Sequence, residues 1–319
     1  MSDAGLDVVC LGILVADTLA KPIERMPAWR QLAVVEQVEL HVGGCASNTG
    51  TGLARLGFRV AAMGRLGKDG FGDFVLQHLE REGLDTRGVK RDGQANTSFT
   101  FVMIARDGER AFFHYVGANG ELSYEDVDFD TLRRARILHV AGSLVMRKLD
   151  GEPTAKVLRR AREMGVITGL DTVWNDSVDP RAILEPCLPH LDYFLPSIDE
   201  AALLTGLKSP ADIAAFFLHK GVGVVGLKLG AEGCWIQDSQ RKVHVPAFKV
   251  EVVDTSGAGD AWVAGFLAGL LQGWDLERAG RFGNAMGAMC VTAIGTTSGL
   301  RGMRDTLAFL EKAEILKGQ

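Results

Sequence analysis

The feature that most constrains the fold is a repeated alternation of short apolar runs with helical patterns. The apolar runs, rich in β-branched residues, predict strands at residues 8–14, 60–63, 137–140, 166–170, 193–195 and 222–227. Helical periodicity lies between them, for example at residues 46–56, 70–82 and 154–164. Parallel neighbouring strands need a long crossover connection, which is usually a helix. The alternation therefore predicts an α/β fold with a largely parallel sheet and helices on both faces.

One region interrupts this alternation. Residues 97–105 and 110–116 both have strand-like patterns, and a short turn at residues 106–109 joins them without a helix. Residues 33–42 are also strand-like. Because these strands do not fit a βαβ layer, they predict a small second sheet. This sheet could be a lid or an edge extension of the main sheet, and the pattern alone leaves both open.

Composition and charge exclude several classes of function. The 319 residues are 47% hydrophobic, enough for a sizeable core, and the formal net charge is −5. No basic block is present in the sequence, so no nucleic-acid partner is expected. The five cysteines are scattered without a CxxC pair, which indicates reduced thiols rather than disulfides or zinc. Since the sequence shows neither a signal-peptide pattern nor a long apolar run, we expect a cytoplasmic protein without a membrane partner.

The stretch VDTSGAGDAW, residues 253–262, combines a turn of small residues with two aspartates. Residues 250–253 are predicted to end a strand, and Ala261 is predicted to begin a helix. Glycines let the backbone approach a ligand closely. The first N–H groups of a helix lack internal partners and, together with the helix dipole, form an anion site. We therefore expect an anion hole formed by the backbone N–H groups of Gly257, Ala258 and Gly259.

Asp260 follows this turn directly. An aspartate at that point can simply cap the helix, but this role leaves the glycine turn unexplained. Beside an anion hole, its carboxylate can accept the proton of an attacking hydroxyl, and phosphoryl transfer needs one such base. Asp260 is therefore the predicted general base.

Two other nucleotide-binding signatures are missing from the sequence. No GxxxxGK[ST] segment occurs, so no P-loop is predicted. The turn after the first strand reads Gly12-Ile13-Leu14-Val15 rather than GxGxxG. An NAD-dependent oxidoreductase is therefore not expected.

Several motifs spread over nearly the whole chain resemble one family. DTSGAGD before an apolar helix resembles the signature of the ribokinase-like (PfkB-type) carbohydrate kinases. The same resemblance is carried, in order, by Gly12-x4-Asp17, Gly43-Gly44-x3-Asn48, Gly67-x-Asp69-x2-Gly72 and Lys228-Leu229-Gly230-x2-Gly233. It implies a single kinase domain over residues 1–319, with three αβα layers around a mostly parallel central sheet. It also implies a small β-sheet lid, built from about residues 13–42 and 95–118.

The resemblance implies roles for individual residues. The substrate, a small sugar, would be bound by Asp17, Gly43, Gly44 and Asn48. On the hairpin, the histidine expected closest to the substrate is His114. The cofactor ATP would lie along a second group of residues: Lys228, Gly230, Gly233, Thr255 and Asn284.

The resemblance also implies two kinds of metal ion. Mg²⁺ would be held through water by Glu200, but Ser197 stands where the family usually has an asparagine. This departure concerns the surroundings of the metal rather than the fold. A monovalent cation, K⁺ in many members, would lie near Asp254, Ser256 and Ser298.

The hairpin has further expected roles. In this family a small sheet closes over the sugar and often mediates dimerisation, so we expect a homodimer formed through the lid. The apolar residues that would cover the substrate or meet a second subunit include Phe99, Phe101, Phe112 and Tyr115. Arg106 and Arg110 flank the hairpin turn. Some members of the family use arginines of the lid for acidic or phosphorylated sugars, but here we expect a solvated turn.

The sequence thus predicts an ATP-dependent kinase that phosphorylates a primary hydroxyl of a small sugar or sugar acid. A nucleoside kinase of the same fold is an alternative, because the adenosine-type members of the family carry the same GAGD turn. A larger apolar pocket near the lid would favour it, and the aromatic residues of the hairpin leave this alternative open. A sugar-binding regulator without catalysis is a second alternative, which the change at Ser197 leaves open.

Overall fold

The computed structural model describes residues 5–106 and 109–316. Its strands, in chain order, are β1 (Leu6–Gly12), β2 (Val15–Lys21), β3 (Gln37–Gly43), β4 (Val60–Gly67), β5 (Asp85–Asp92), β6 (Phe99–Ile104), β7 (Arg110–Tyr115), β8 (Ala135–Ser143), β9 (Ile167–Thr172), β10 (Tyr193–Phe194), β11 (Val224–Lys228), β12 (Cys234–Gln237) and β13 (Lys242–Val245). Its α-helices are α1 (Cys45–Arg55), α2 (Gly70–Arg81), α3 (Phe129–Leu132), α4 (Glu152–Glu163), α5 (Pro180–Leu184), α6 (Ile198–Thr205), α7 (Pro210–His219), α8 (Ala258–Leu271), α9 (Leu276–Cys290) and α10 (Met303–Lys312).

The large sheet has the strand order β13-β12-β11-β10-β9-β8-β1-β4-β5 within the described residues. All neighbouring strands from β11 to β5 in this order, a run that does not contain β6 or β7, pair in parallel. At the other edge, β12 pairs antiparallel with both β11 and β13. The chain moves outward from β1 in one direction and from β8 in the other. Because such crossovers are right-handed, the two sets of helices cover opposite faces. The predicted α/β fold with a mostly parallel sheet is confirmed.

The small sheet is separate from the large one and has the strand order β3-β2-β6-β7. The predicted hairpin is present as the antiparallel pair of β6 and β7, although turn residues 107 and 108 lie outside the described residues. The sequence patterns missed β2, which pairs in parallel with β6 and antiparallel with β3. Since the small sheet forms its own hydrogen-bonded unit, it is not an edge extension of the large sheet.

The prediction of a strand ending at residues 250–253 is wrong. In the structure the N–H groups of Val253 and Asp254 donate to Val291 O, at 2.8 and 3.1 Å, so the segment is bound to the end of α9 rather than to a strand. The helix that follows begins at Ala258, three residues earlier than the predicted start at Ala261.

The middle of the large sheet is buried on both faces. Strand β1 is buried at every position except Asp7, and β8 at every position except Arg136. Such strands have continuous apolar runs instead of alternation. Within the described residues, no single helix combines the length and the apolar character needed to cross a membrane, and α6 and α7 meet that criterion only as a pair bent by 62°.

Candidate active site

The turn before α8 adopts a conformation that requires glycine at one position. Gly257 has a φ of 76°, and a Cβ there would lie 2.4 Å from Thr296 O. Within the described residues, the N–H groups of Gly257 and Gly259 make no hydrogen bond, so both can bind an anion. The Ala258 N–H differs from the expectation, because it donates to Thr255 O at 3.3 Å.

Asp260 is fixed by a side chain from a distant helix. Its Oδ2 accepts a hydrogen bond of 2.7 Å from Asn48 Nδ2 in α1. The Thr296 hydroxyl lies 2.8 Å from Asn48 Oδ1 and 2.9 Å from Val42 O, and it can donate its single proton to either oxygen. Because Asp260 Oδ2 is an acceptor, Asn48 presents its amide nitrogen to Asp260 and its Oδ1 to Thr296. The structure therefore joins a predicted sugar-binding residue directly to the predicted base.

The surroundings of Asp260 favour its protonated form. Burial of the carboxyl group and the negative charge of Asp171 raise its pKa to about 6, against the hydrogen bond from Asn48 and the charge of Lys228. A carboxylate with a pKa close to the working pH is suited to general-base catalysis. This electrostatic state agrees with the predicted role of Asp260.

Asp171 is a site residue that the sequence analysis missed. It lies in β9, where its Oδ1 accepts a hydrogen bond of 2.8 Å from Gly142 N, and His139 Nε2 lies 3.7 Å from its Oδ2. Burial opposes ionisation of Asp171, but His139, the charge of Lys228 and the hydrogen bond from Gly142 together outweigh burial and lower the pKa of Asp171. Asp171 directly follows the predicted strand at residues 166–170. Ligands of open α/β sheets bind at the carboxyl ends of strands, so this position was a usable signal.

Cys45 is a second residue that was missed. Its sulfur and carboxylate oxygens of Asp171 and Asp260 all lie within 4.8 Å of one another. Burial raises the pKa of the Cys45 thiol, which therefore stays protonated. A thiol is a soft ligand, whereas Mg²⁺ prefers hard oxygen ligands. This cluster is accordingly unsuited to Mg²⁺.

Asp17 lies on β2, and its position depends on Gly43 in β3. A Cβ on Gly43 would lie 1.8 Å from Asp17 Oδ2, so any larger residue would displace the carboxylate. Burial raises the pKa of Asp17 to about 6, although a hydrogen bond with Thr100 and the nearby His41 oppose the shift.

His114 lies on the same face of the small sheet as Asp17. Directly opposed residues form a row across the four strands, in the order His41, Asp17, Thr100 and His114. Directly opposed side chains project from the same face of a sheet. His114 Nδ1 lies 3.1 Å from Thr100 Oγ1, and partial burial lowers the pKa of its ring. The structure thus brings His114 to the predicted substrate side, two strands away from Asp17.

The residues predicted to bind ATP line a single cavity of about 430 Å³. Its wall contains Lys228, Gly230, Gly233, Thr255 and Asn284, together with the anion-hole residues Ala258 and Gly259. Lys228 Nζ lies 3.3 Å from the point where a Cβ of Gly259 would stand, so a positive charge adjoins the α8 N-terminus.

Asn284 lines this cavity, but its amide group is already used within the protein. Its Oδ1 accepts from Trp262 Nε1 at 2.9 Å, and its Nδ2 donates to the carbonyl oxygens of Val245 and Pro246 at 2.9 and 3.0 Å. Asn284 therefore shapes the wall of the cavity rather than offering a free hydrogen-bonding group.

Ser197 and Glu200 form a capping box at the start of α6. Ser197 Oγ accepts from Glu200 N at 3.3 Å, and Glu200 Oε2 accepts from Ser197 N at 2.9 Å. Thr172 Oγ1 also donates to Glu200 Oε2, at 3.0 Å. Among the described residues, no donor reaches Glu200 Oε1, so this oxygen can still bind a metal-bound water. The donor set fits Mg²⁺ held through water, and the Ser197 hydroxyl is engaged in the cap.

The predicted monovalent-cation ligands have a different partner in the structure. Arg110 Nη1 donates to Asp254 Oδ1 at 2.6 Å and to Ser256 Oγ at 2.8 Å. The expectation that Arg110 is solvated is wrong, because its side chain is only 18% exposed, whereas that of Arg106 is 66% exposed. Ser298 is exposed, and its carbonyl oxygen accepts from Arg301 at 2.9 Å.

Asp254 is held as a carboxylate. Burial opposes its ionisation, but hydrogen bonds from Gly295, Ser256 and Arg110 outweigh burial and lower its pKa. The N–H groups involved are those of Gly295, 2.9 Å from Oδ2, and Ser256, 2.7 Å from Oδ1.

Comparisons with known proteins identify the family of this chain. The model of the pfkB family carbohydrate kinases matches residues 6–302. A 2-dehydro-3-deoxygluconokinase of Bacillus subtilis is 33% identical over 281 residues, covering 84% of this chain and 86% of the relative. An E. coli protein assigned as a ribokinase II, solved in complex with ATP and Mg²⁺, superposes with a TM-score of 0.85 at 26% identity. That superposition covers 96% of this chain and 99% of the E. coli chain.

A third comparison gives the same result. The fructokinase of Xylella fastidiosa with bound ATP has a TM-score of 0.83 at 27% identity, covering 96% of this chain and 98% of the fructokinase. Residues 6–302, which the family model matches, contain the large sheet, the small sheet and every residue of the site described above. The chain therefore belongs to the pfkB family of carbohydrate kinases.

Proposed function

We propose that this protein transfers the γ-phosphate of ATP to a primary hydroxyl of a small sugar or sugar acid. The observation that carries the proposal is the position of Asp260. Its carboxylate accepts a hydrogen bond of 2.7 Å from Asn48 and feels the positive charge of Lys228. Gly259, which directly precedes Asp260, lines the cavity together with Lys228. A base between a sugar site and a phosphate site is what direct phosphoryl transfer requires.

ATP would occupy the cavity of about 430 Å³, with its γ-phosphate at the N-terminus of α8. The free N–H groups of Gly257 and Gly259 would bind phosphate oxygens, and the Lys228 ammonium would add a positive charge. These groups are fixed before the reaction, so stabilising the transition state requires little reorganisation. Gly230, Gly233 and Thr255 would border the remainder of the nucleotide.

The sugar would bind between the carboxyl ends of the strands and the small sheet. Asp17 and Asn48 would contact its hydroxyl groups, Gly43 and Gly44 would leave room for it, and His114 would face it from β7. The small sheet would act as a lid whose closure excludes water and limits wasteful ATP hydrolysis.

The reaction itself needs one proton acceptor. The sugar hydroxyl oxygen would form a bond to the γ-phosphorus, and the bond from that phosphorus to the bridging oxygen of ADP would break, with its electron pair left on ADP. Asp260 would take the hydroxyl proton. Its pKa of about 6 lets it accept this proton at neutral pH and release it afterwards.

Glu200 would hold Mg²⁺ through water, using the carboxylate oxygen that the capping box leaves available. When bound, Mg²⁺ would supply charge neutralisation at the β- and γ-phosphates of ATP. Whether K⁺ binds near Asp254 and Ser256 depends on Arg110, because its guanidinium contacts both residues.

The outer face of the small sheet supports the proposed homodimer. Phe113 and Tyr115 alternate with His114 along β7, so they point away from Asp17, and they are 60% and 50% exposed. Leu40 joins them on this face, at 42% exposed. An apolar surface of this kind is typical of a subunit interface. Phe112, in contrast, lies on the face of Asp17. A cytoplasmic location stays a prediction.

The test is release of ADP with ATP and Mg²⁺ across sugars, sugar acids, sugar phosphates and nucleosides. The name of the B. subtilis relative makes 2-keto-3-deoxy sugar acids the first compounds to include. We expect one group of compounds to support turnover, and the Asp260→Asn variant to lose it. Turnover of nucleosides alone would favour the nucleoside kinase, and binding without any turnover would favour a non-catalytic regulator.

A further inference from the structure

On the basis of the proposed kinase function, we propose that the Arg110 guanidinium is a built-in cation of the anion-hole turn. It makes the enzyme independent of K⁺ and other monovalent cations. Arg110 is a positioning residue in this account, because it acts through Asp254 and Ser256 on the turn that precedes α8.

The contacts of Arg110 are those of a cation-binding site. A single nitrogen, Nη1, binds Asp254 Oδ1 at 2.6 Å and Ser256 Oγ at 2.8 Å. The Asp254 side chain is only 2% exposed and its surroundings lower its pKa, so a buried negative charge faces the guanidinium. A buried carboxylate needs a partner of opposite charge. Arg110 supplies it from the small sheet, which is remote in sequence from the turn.

Hydrogen bonds, together with the peptide bond between Gly295 and Thr296, link Arg110 to the base Asp260. Asp254 Oδ2 accepts from Gly295 N at 2.9 Å, which fixes the segment containing Thr296. Thr296 Oγ1 can donate to Asn48 Oδ1, which lies 2.8 Å away, and Asn48 Nδ2 donates to Asp260 Oδ2 at 2.7 Å. A displacement of Asp254 would therefore reach both the anion-hole turn and the base.

Removal of the guanidinium would leave a site with a defined ligand preference. Asp254 Oδ1 and Ser256 Oγ are hard oxygen ligands that converge on the position of Nη1. Either a small monovalent cation or a free guanidinium ion could then replace the missing charge. Since the same contact joins the small sheet to the turn, Arg110 would also order the turn when the sheet closes.

The experiment compares wild type, Arg110→Met and Arg106→Met in choline chloride buffers that lack K⁺, Na⁺ and ammonium. KCl, or guanidinium chloride at a low and non-denaturing concentration, is then added at constant ionic strength. Two quantities are measured: Tm, and kcat/KM for ADP release with the compound that wild type phosphorylates. Arg106 is the matched control, because it lies beside the same hairpin turn but binds the exposed Glu24, at 2.8 Å.

We expect KCl to change neither Tm nor kcat/KM of wild type and of Arg106→Met. Arg110→Met should lose about 100-fold in kcat/KM in choline, the usual effect of a small misplacement of catalytic groups. Addition of KCl or guanidinium should raise the kcat/KM of Arg110→Met at least about tenfold. It should also raise the Tm of this variant and of no other. A purely structural role of Arg110 would lower Tm without such a rescue.

The proposal is overturned if wild type requires K⁺ for turnover, or if neither cation affects Arg110→Met. Should Arg110→Met fail to fold, the cation response of wild type still decides, and Arg110→Lys, which keeps a positive charge, should remain independent of K⁺. If no compound supports ADP release, the kinase function fails. In that case the Tm measurements still test whether KCl or guanidinium stabilises Arg110→Met but not wild type, and this result does not depend on kinase activity.

Discussion

Asp254 and Asp260 stand at the two ends of one turn, yet their surroundings act on them in opposite directions. At Asp254, hydrogen bonds from two backbone N–H groups and Arg110 outweigh burial and lower the pKa. At Asp260, burial and the charge of Asp171 outweigh the hydrogen bond from Asn48 and the charge of Lys228 and raise the pKa to about 6. The same residue type is therefore held as an anion at one end and kept ready to bind a proton at the other.

The difference teaches that donors and charges, rather than residue type, assign the roles in this turn. A permanently ionised Asp254 is suited to anchor the loop. A carboxylate that is destabilised as an anion is suited to accept a proton.

The largest expected effect is on catalysis by Asp260→Asn. Loss of a general base lowers rates by about 10²- to 10⁴-fold, so kcat should fall within this range while ATP binding is retained. Steady-state kinetics and ATP titration measure the two effects. Asp199→Asn is the matched control, since Asp199 is an exposed aspartate in the first turn of α6. Equal activity of Asp260→Asn and wild type would remove the base from the mechanism.

The same variant should be more stable than wild type at neutral pH. The folded-state pKa of Asp260 is about 6, above the unfolded value of 3.8, so the folded protein binds the extra proton between these values. The stabilisation that proton binding to Asp260 gives the folded protein is therefore complete below pH 3.8, and it is lost as the pH rises through about 6. Denaturant unfolding should show the variant more stable above about pH 6, with a gap that closes as pH falls towards 4. A variant less stable than wild type at pH 7 would contradict this sign.

Asp254→Asn should have the opposite effect on stability and a smaller effect on rate. It removes the charge partner of Arg110, and we expect a loss of about 1–3 kcal/mol in the free energy of unfolding at neutral pH. Because the folded-state pKa of Asp254 is lowered, this loss should shrink as pH falls below the unfolded value. We expect kcat/KM to fall about 100-fold through misplacement of the turn. If Asp254→Asn stabilises the protein, the contrast between the two aspartates is lost.

Asp171→Asn tests one cause of the raised pKa of Asp260. Removing this negative charge should lower the Asp260 pKa, and the acid limb of the kcat profile should move to lower pH. The profile is measured with saturating substrate, and Asp199→Asn again serves as the control. An unchanged limb would assign the shift to burial alone.

The smallest effect concerns a carboxylate at the same position of another helix. Glu200, like Asp260, is the third residue of its helix, but it caps α6 through Ser197. Ser197→Ala should cost about 1 kcal/mol in the free energy of unfolding, whereas Ser197→Asn, which keeps a good cap, should change it little. Chemical denaturation measures both. If both variants lose the same stability, the capping box does not stabilise α6.

The sequence predicted the fold from features that are local. Continuous apolar runs marked β1 and β8, because strands buried on both faces carry no alternation. Strand β2 was missed, since Val15–Lys21 mixes polar and apolar residues and is paired on both edges by remote strands. The residues around the anion-hole turn could be predicted because they form one short motif.

The remaining parts of the site depend on long-range contacts. Arg110 and Asp254 are 144 positions apart, and no sequence pattern near Arg110 distinguishes it from the solvated Arg106. Asp171 could have been found at the end of a predicted strand. Ser197 and Glu200 also form a readable S-x-x-E capping signature, which was interpreted only as a change in the metal's surroundings.

The most direct test of the opposed aspartates is a pH titration of their side-chain carboxyl carbons by NMR, in protein labelled with ¹³C at aspartate. The resonances are assigned by their loss in Asp254→Asn and Asp260→Asn. We predict that the Asp260 signal titrates with a midpoint near pH 6, while the Asp254 signal titrates below the usual range of an aspartate. Two signals with the same midpoint would contradict this prediction, because the two ends of the turn would then hold chemically equivalent groups.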